Sequence, residues 1–220
     1  MPACRDCSHF AIDRCLLAGD LTGLSRPERT KRESRACMHA IFQKHLPDIK
    51  GKVLEIGYGV YKGVRKALRN KGDATWMGVD ARWEGGTAEG QLTGSAAHIG
   101  LCNDSVDWVL AFETIEHWED FGESIEEGLK EISRVLKPGG KLLVSAPIYQ
   151  HGSPDFILGR WRNVVDAFLP FFSKVRFEHW RANYEPLQPL EEWMHFNRKA
   201  MLKAFGKVPS MWKLEILATK

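Results

Sequence analysis

The run Val53-Leu54-Glu55-Ile56-Gly57-Tyr58-Gly59 ends an apolar stretch on two glycines separated by one residue. Glycine at the carboxyl end of a buried strand lets the backbone turn sharply, and it lets a ligand approach where a β-carbon would obstruct. Twenty-one residues beyond Gly59, Asp80 closes a second apolar run, Thr75-Trp76-Met77-Gly78-Val79, and Ala81 follows it. In a doubly wound sheet, a carboxylate at that place accepts hydrogen bonds from both hydroxyls of a ribose. A tight turn beside a surface aspartate is the blander alternative. The order strand, glycine turn, helix, strand, acid favours binding.

Two residue types narrow the ligand. The dinucleotide fingerprint G-x-G-x-x-G places pyrophosphate on a helix N-terminus, but the next glycine after Gly59 is Gly63, one residue too far. Glu55 stands two residues before Gly57, where its charge would repel a pyrophosphate and attract an ammonium group. S-adenosylmethionine (SAM) has an amino-acid end, a sulfonium charge and no phosphate. These features favour SAM over NAD.

The elements that must position these residues follow an α/β pattern with a largely parallel sheet. A basic helix is expected over about 62–70, with Val64 and Leu68 four apart and Gly72 as its stop. A glycine-rich loop is expected over about 84–100, then a third strand over Val106–Ala111. Ile125, Leu129, Ile132 and Leu136 recur at steps of four, three and four, so they share one helix face. Pro138-Gly139-Gly140 should break that helix before the strand Lys141–Ser145. The eight acids among residues 113–131 read as a solvated helix face. A helical stretch is expected near 191–204, and Trp212–Thr219 reads as a closing antiparallel strand.

On these residues the chain resembles the class I SAM-dependent methyltransferases, particularly the branch with a small, generic catalytic domain. Val53–Gly59 looks like that family's E-x-G-x-G motif, with Tyr61 where a third glycine is often present, and Asp80 matches its ribose-binding acid. Gly94-Ser95-Ala96-Ala97-His98-Ile99, running on to Asn103–Asp107, resembles the family's third motif. Ser95 stands where the family usually has an adenine-contacting aspartate, which leaves the backbone at Ala96 to serve. Glu113-Thr114-Ile115-Glu116-His117 matches the loop that lies beside the methyl group in the family. Residues 129–145, with R-V-L-K-P-G-G-K-L-L-V-S at their centre, are similar to the helix, turn and strand that follow. The resemblance covers about residues 51–150 well and the remainder loosely. It implies a doubly wound, Rossmann-like, mostly parallel sheet with an antiparallel C-terminal strand. It also implies a SAM site made of Glu55, Gly57, Gly59, Asp80, Ala81, Ser95, Ala96 and Glu113.

Methyl transfer from SAM is an in-line displacement, and a base is needed only where the nucleophile must lose a proton. His117, in the loop after the third predicted strand's carboxyl end, and Tyr149 and His151, just past the next strand, are the candidates. A purely structural His117, paired with Glu113 or Asp120, is the competing reading. The stretch Ile148–Phe156 resembles a segment of methyltransferases associated with surface-sugar biosynthesis. A small-molecule acceptor is expected. Residues 156–184 hold eight aromatics and five basic residues against two acids. They suggest part of a substrate lid over about 150–205 or a protein-partner surface, with nucleic acid less favoured.

Composition places the rest. The chain has 220 residues, 44% hydrophobic and 27% charged, with formal net charge +3, which is ordinary for a globular protein and too mild for a polyanion-binding one. No apolar run reaches the roughly 20 residues of a bilayer span. MPACRDCSHF lacks the apolar core of a secretory signal, so a reducing cytoplasm is the expected compartment. Residues 1–50 carry nine basic and six acidic side chains, and 51–220 carry 22 of each, so the surplus belongs to the first segment.

That segment also holds Cys4, Cys7, Cys15 and Cys37. We expect residues 1–45 to form a cysteine-rich metal-binding head and 46–220 the methyltransferase domain. A C-x-x-C pair lets two thiolates face one ion, and the two lone cysteines suit a [4Fe–4S] cluster at least as well as zinc. C-x-x-C-x-x-F followed by two lone cysteines resembles small high-potential iron–sulfur modules of accessory subunits. His9 and His39 are spare ligands, Cys102 is expected to pack, and free thiols or a redox disulfide are the alternatives. A non-catalytic binding or redox-sensing protein on a methyltransferase-like scaffold is the rival to a methyltransferase, kept in play by Tyr61 and Ser95.

Overall fold

The computed structural model describes residues 26–59, 63–81, 90–148, 152–181 and 212–220. In chain order the elements are α1 (Arg26–His45), β1 (Gly51–Ile56), α2 (Gly63–Lys71), β2 (Ala74–Asp80), β3 (Gln91–Thr93) and β4 (Val106–Phe112). Next come a 3₁₀ segment (Ile115–Phe121), α3 (Ile125–Val135), β5 (Leu136–Ile148), the short α4 (Pro154–Ile157) and α5 (Trp161–Asp166), β6 (Lys174–Arg181) and β7 (Trp212–Thr219).

The strands form one sheet in the order β3-β2-β1-β4-β5-β7-β6. Strands β3, β2, β1, β4 and β5 run parallel to one another, and β7 runs antiparallel between β5 and β6. The strand order steps outward from β1 in one direction and from β4 in the other. A crevice therefore opens above the carboxyl ends of β1 and β4, the place where ligands bind in open α/β sheets. The Rossmann-like sheet with an antiparallel C-terminal strand matches the sequence expectation.

Both sheet faces are covered. On one face, α3 buries Leu129, Ile132 and Val135 beside Trp118, Phe156, Phe168 and Phe172. Ser124 starts α3 with a capping box, accepting from the Glu127 N–H while the Glu127 carboxylate accepts from the Ser124 N–H, a cap worth about 1 kcal/mol. On the other face, α1 turns Cys37, Met38, Ile41 and Phe42 toward Val64 and Leu68 of α2 and Val53, Leu110 and Leu143 of the sheet. Burying a side chain such as Phe42 stabilises the fold by roughly 1.5–3 kcal/mol. The carboxyl half of α1 is thus part of the same core as the sheet. No helix among the described residues is long and apolar enough to cross a membrane.

Three local expectations are corrected. Strand β5 begins at Leu136, not Lys141, because a register shift between the Val106–Leu136 and Trp108–Lys141 pairs absorbs Pro138 and Gly139 into the ladder. The glycine-rich loop contains the short strand β3, which pairs with β2. The acids of 113–131 are solvated only in part: Glu119, Asp120, Glu126 and Glu127 are exposed, but Glu116 is fully buried, Glu131 binds Arg134 and the Ile99 N–H, and Glu123 accepts from the Ala97 N–H. A 3₁₀ segment interrupts the expected helical period there, so these acids fall on several faces. In residues 152–181, Phe156, Trp161, Phe168, Phe172 and Trp180 are core side chains. The helical stretch expected near 191–204 lies outside the described residues.

Candidate functional site

At the end of β1 the backbone turns through Gly57, whose φ is +69° and whose N–H donates to the Val79 carbonyl at 2.8 Å. A β-carbon at Gly57 would lie 2.5 Å from Thr114 Oγ1, so glycine is required on both conformational and steric grounds. The Gly59 N–H donates to Asp80 Oδ2 at 2.7 Å. The acid that ends β2 thereby holds the turn that ends β1.

A cleft of about 250 Å³ opens at this edge. Gly57, Asp80, Ala81, Ser95, Ala96, Glu113 and His117, all expected from sequence, line it together with Thr114, Trp118, Asp120 and Glu123. Its lining carries the carboxylates of Asp80, Glu113, Asp120 and Glu123 and, among the described residues, no lysine or arginine. Ser95 and His98 bridge each other through backbone hydrogen bonds of 3.3 and 3.2 Å, which fixes the turn carrying Ala96.

Glu55 takes a different place. Its carboxylate is buried and accepts from Trp76 Nε1 at 2.7 Å. It is not among the residues lining the cleft. Burial pushes its carboxyl up to about 8, and the nearby Asp80 charge adds to the rise against the Trp76 hydrogen bond.

His117 Nδ1 lies 2.8 Å from Asp120 Oδ2, so the pairing with Asp120 is realised and the ring sits half-exposed at the cleft wall. Beneath it, burial pushes the Glu116 carboxyl up to about 8. Gly152 packs on Glu116, and the Ser153 N–H donates to the Glu116 carbonyl at 2.9 Å, docking the segment after β5 against the 3₁₀ segment. Tyr149 and His151 lie outside the described residues.

Sequence reasoning missed what stands behind Glu113. Glu113 has φ +54°, and its N–H donates to the Ser145 carbonyl at 2.8 Å. Its carboxylate accepts from Ser145 Oγ at 3.0 Å and from Lys213 Nζ. Lys213 is fully buried, and desolvation pulls its ammonium down to about 7, against the nearby Cys37. Two residues on, Glu215 binds His45, Lys44 and Trp180 Nε1. A visible signal existed: Trp212-Lys213-Leu214-Glu215 puts two charges on one side of an otherwise apolar strand, and buried charges need partners.

Cys37 is fully buried in α1, and burial pushes its thiol up to about 12. Cys4, Cys7, Cys15 and His9 lie outside the described residues. Among the described residues, no group of three or more His, Cys, Asp or Glu side chains is placed to hold a metal. His39 bonds Gln43, and Cys102 is exposed rather than packed.

Residues 54–144 match the family model described as a methyltransferase domain. In three dimensions the chain is similar to a SAM dependent methyltransferase from Archaeoglobus fulgidus, with TM-score 0.56 and 17% identity over 82% of this chain and 92% of that one. The fold is the Rossmann-like fold of methyltransferases. Within that fold, the chain is 29% identical over 143 residues to methyltransferase GfsG of Streptomyces halstedii, covering 58% of this chain and 48% of the relative. It is 28% identical over 99 residues to the chloroplastic 2-methyl-6-phytyl-1,4-hydroquinone methyltransferase of Spinacia oleracea, covering 44% of this chain and 26% of the relative. The chain therefore spans half or less of these curated relatives.

Proposed function

We propose that the chain is a SAM-dependent methyltransferase that binds SAM in the cleft above β1, β2 and β4. The observation that carries this reading is the convergence of Gly57, Asp80–Ala81, Ser95–Ala96, Glu113 and His117, from four separate sequence segments, on one cleft at the sheet's switch point. Asp80 would take the ribose hydroxyls and the Ser95–Ala96 turn the adenine. The anionic lining suits a ligand with a sulfonium and an ammonium and no phosphate. The buried Glu55 would serve as the ammonium's counter-charge, and such a cation would draw its raised carboxyl back toward ionisation.

In the reaction, a lone pair of the acceptor attacks the SAM methyl carbon in line with the carbon–sulfur bond. That bond breaks, the sulfur leaves as a neutral thioether, and any proton on the acceptor departs to a base. Geometry and exclusion of water supply most of the acceleration. His117, held by Asp120 at 2.8 Å, would take the proton, with Tyr149 and His151 as further candidates.

The acceptor is read as a small molecule, and the buried aromatics of 156–181 support a structural role for that stretch over a nucleic-acid platform. Incubating the chain with methyl-labelled SAM and cell extract, then searching by mass spectrometry for labelled products, tests the activity. Label on a small molecule supports it. SAM binding without transfer to any extract component supports a non-catalytic scaffold. For the cysteine head, iron and sulfide with a broad visible absorption in anaerobically purified protein would support a cluster, and stoichiometric zinc a structural ion. A colourless, metal-free protein would remove the metal.

A further inference from the structure

The cleft wall at Glu113 is backed by a fully buried cation. Glu113 lines the cleft, while Lys213, its ion-pair partner, is inaccessible at the start of β7 and reaches Glu113 from behind. Ser145 Oγ supplies a second donor from β5. Three elements thus converge on one carboxylate. The positive φ of Glu113, unusual for a non-glycine residue, shows the backbone itself bent to meet them. The register pairs Lys213 with Pro147 of β5 and Trp180 of β6, an apolar setting in which a lysine is costly unless paired.

We propose that Lys213 is a positioning residue that holds the Glu113 carboxylate at the reacting end of the cleft and sets the charge which that end presents to its ligand. This rests on the reading of the cleft as a SAM site. With adenosine placed by Asp80, Ser95 and Ala96, the Glu113–His117 wall is what remains for the sulfonium. The pair presents a carboxylate whose charge is balanced by the ammonium behind it. SAM carries the sulfonium charge and its demethylated product, S-adenosylhomocysteine, does not, so the ratio of their affinities reports the charge of this wall. Among the described residues, the other titratable groups near the pair and the cleft are Cys37, whose thiol burial keeps protonated, Glu215, and Asp80, Asp120, Glu123 and His117 around the cleft.

The test is calorimetric titration of the full chain with SAM and with S-adenosylhomocysteine at pH 6, below the value of about 7 to which burial pulls Lys213, so that it stays an ammonium in every variant that keeps it. Wild type is compared with Lys213→Met, Glu113→Gln and the double variant, with circular dichroism to establish that each is folded. Lys213→Met leaves Glu113 without its counter-charge and should shift the affinity ratio at least threefold toward SAM. Glu113→Gln leaves the ammonium and should shift it at least threefold toward the product. The double variant should return close to wild type. A purely structural pair would weaken both ligands alike, and ratios unchanged in the single variants overturn the proposal. If Lys213→Met does not fold, the opposed predictions for Glu113→Gln and the double variant still decide it. Failure of wild type to bind either ligand would instead sink the SAM reading itself.

Discussion

Asp80 Oδ2 accepts the Gly59 N–H at 2.7 Å, so one carboxylate ties the glycine turn of β1 to the end of β2 while its residue lines the cleft. Replacing it with alanine removes a ligand acceptor and the anchor of the turn together. We expect Asp80→Ala to weaken SAM binding at least tenfold, about 1.4 kcal/mol or more. The change in melting temperature should be small, because the side chain lies at an exposed edge. A thermal-shift titration measures both, and an unchanged midpoint for SAM would contradict the assignment.

Gly57 should tolerate no side chain. Its φ of +69° and the 2.5 Å approach that an added β-carbon would make to Thr114 Oγ1 act in the same direction. Gly57→Ala is expected to cost about 1–3 kcal/mol and to displace the Thr114 side chain that accepts from Trp118 Nε1. Urea denaturation of the variant checks the magnitude, and a wild-type midpoint would show that the turn is not constrained as described.

Glu116 makes stability depend on pH in a direction opposite to most carboxylates. Its carboxyl is raised from about 4.5 to about 8 by burial. The stability tied to its protonated form is therefore fully present below the unfolded value and is lost as pH climbs toward 8. A glutamine there cannot ionise. Glu116→Gln should melt close to wild type at pH 5 and roughly 5 °C or more above it at pH 8.5. Parallel melting curves across that range would show that Glu116 is not buried as a neutral acid.

The parts of the site that were legible in the sequence are those set by short spacing. The glycine turn, Asp80 and the Ser95–Ala96 turn each sit at a strand end that a few neighbouring residues announce. The orientation of Glu55 was not legible, because its partner Trp76 comes from the next strand and only the β1–β2 register brings the two together. Glu113 and Lys213 are 100 residues apart, and nothing local links them. The acids after β4 misled for the same reason: a charge run looks solvated until a 3₁₀ turn and the docking of Gly152 bury Glu116. The start of β5 was hidden by a bulge, which sequence patterns of Pro and Gly present as a break.

Glu215 anchors α1 to the sheet. Burial alone would raise its carboxyl, but the His45 hydrogen bond and the Lys44 charge outweigh that and hold it below the usual range. Its contribution is therefore present above the unfolded value and lost as pH falls into the acid range. Glu215→Leu strands His45 and the Trp180 indole N–H and should destabilise the fold by about 3 kcal/mol at neutral pH. It should also make α1 the first site of limited proteolysis. Protection of α1 equal to wild type would contradict that anchoring role.

The central claim is that the cleft bounded by Gly57, Asp80, Ala96 and Glu113 is a SAM site. Calorimetric titration of the full chain with SAM tests it most directly. We predict one site per chain with a dissociation constant in the micromolar range, on the order of −8 kcal/mol, competed by S-adenosylhomocysteine. No heat of binding for either compound at near-millimolar concentration would contradict it.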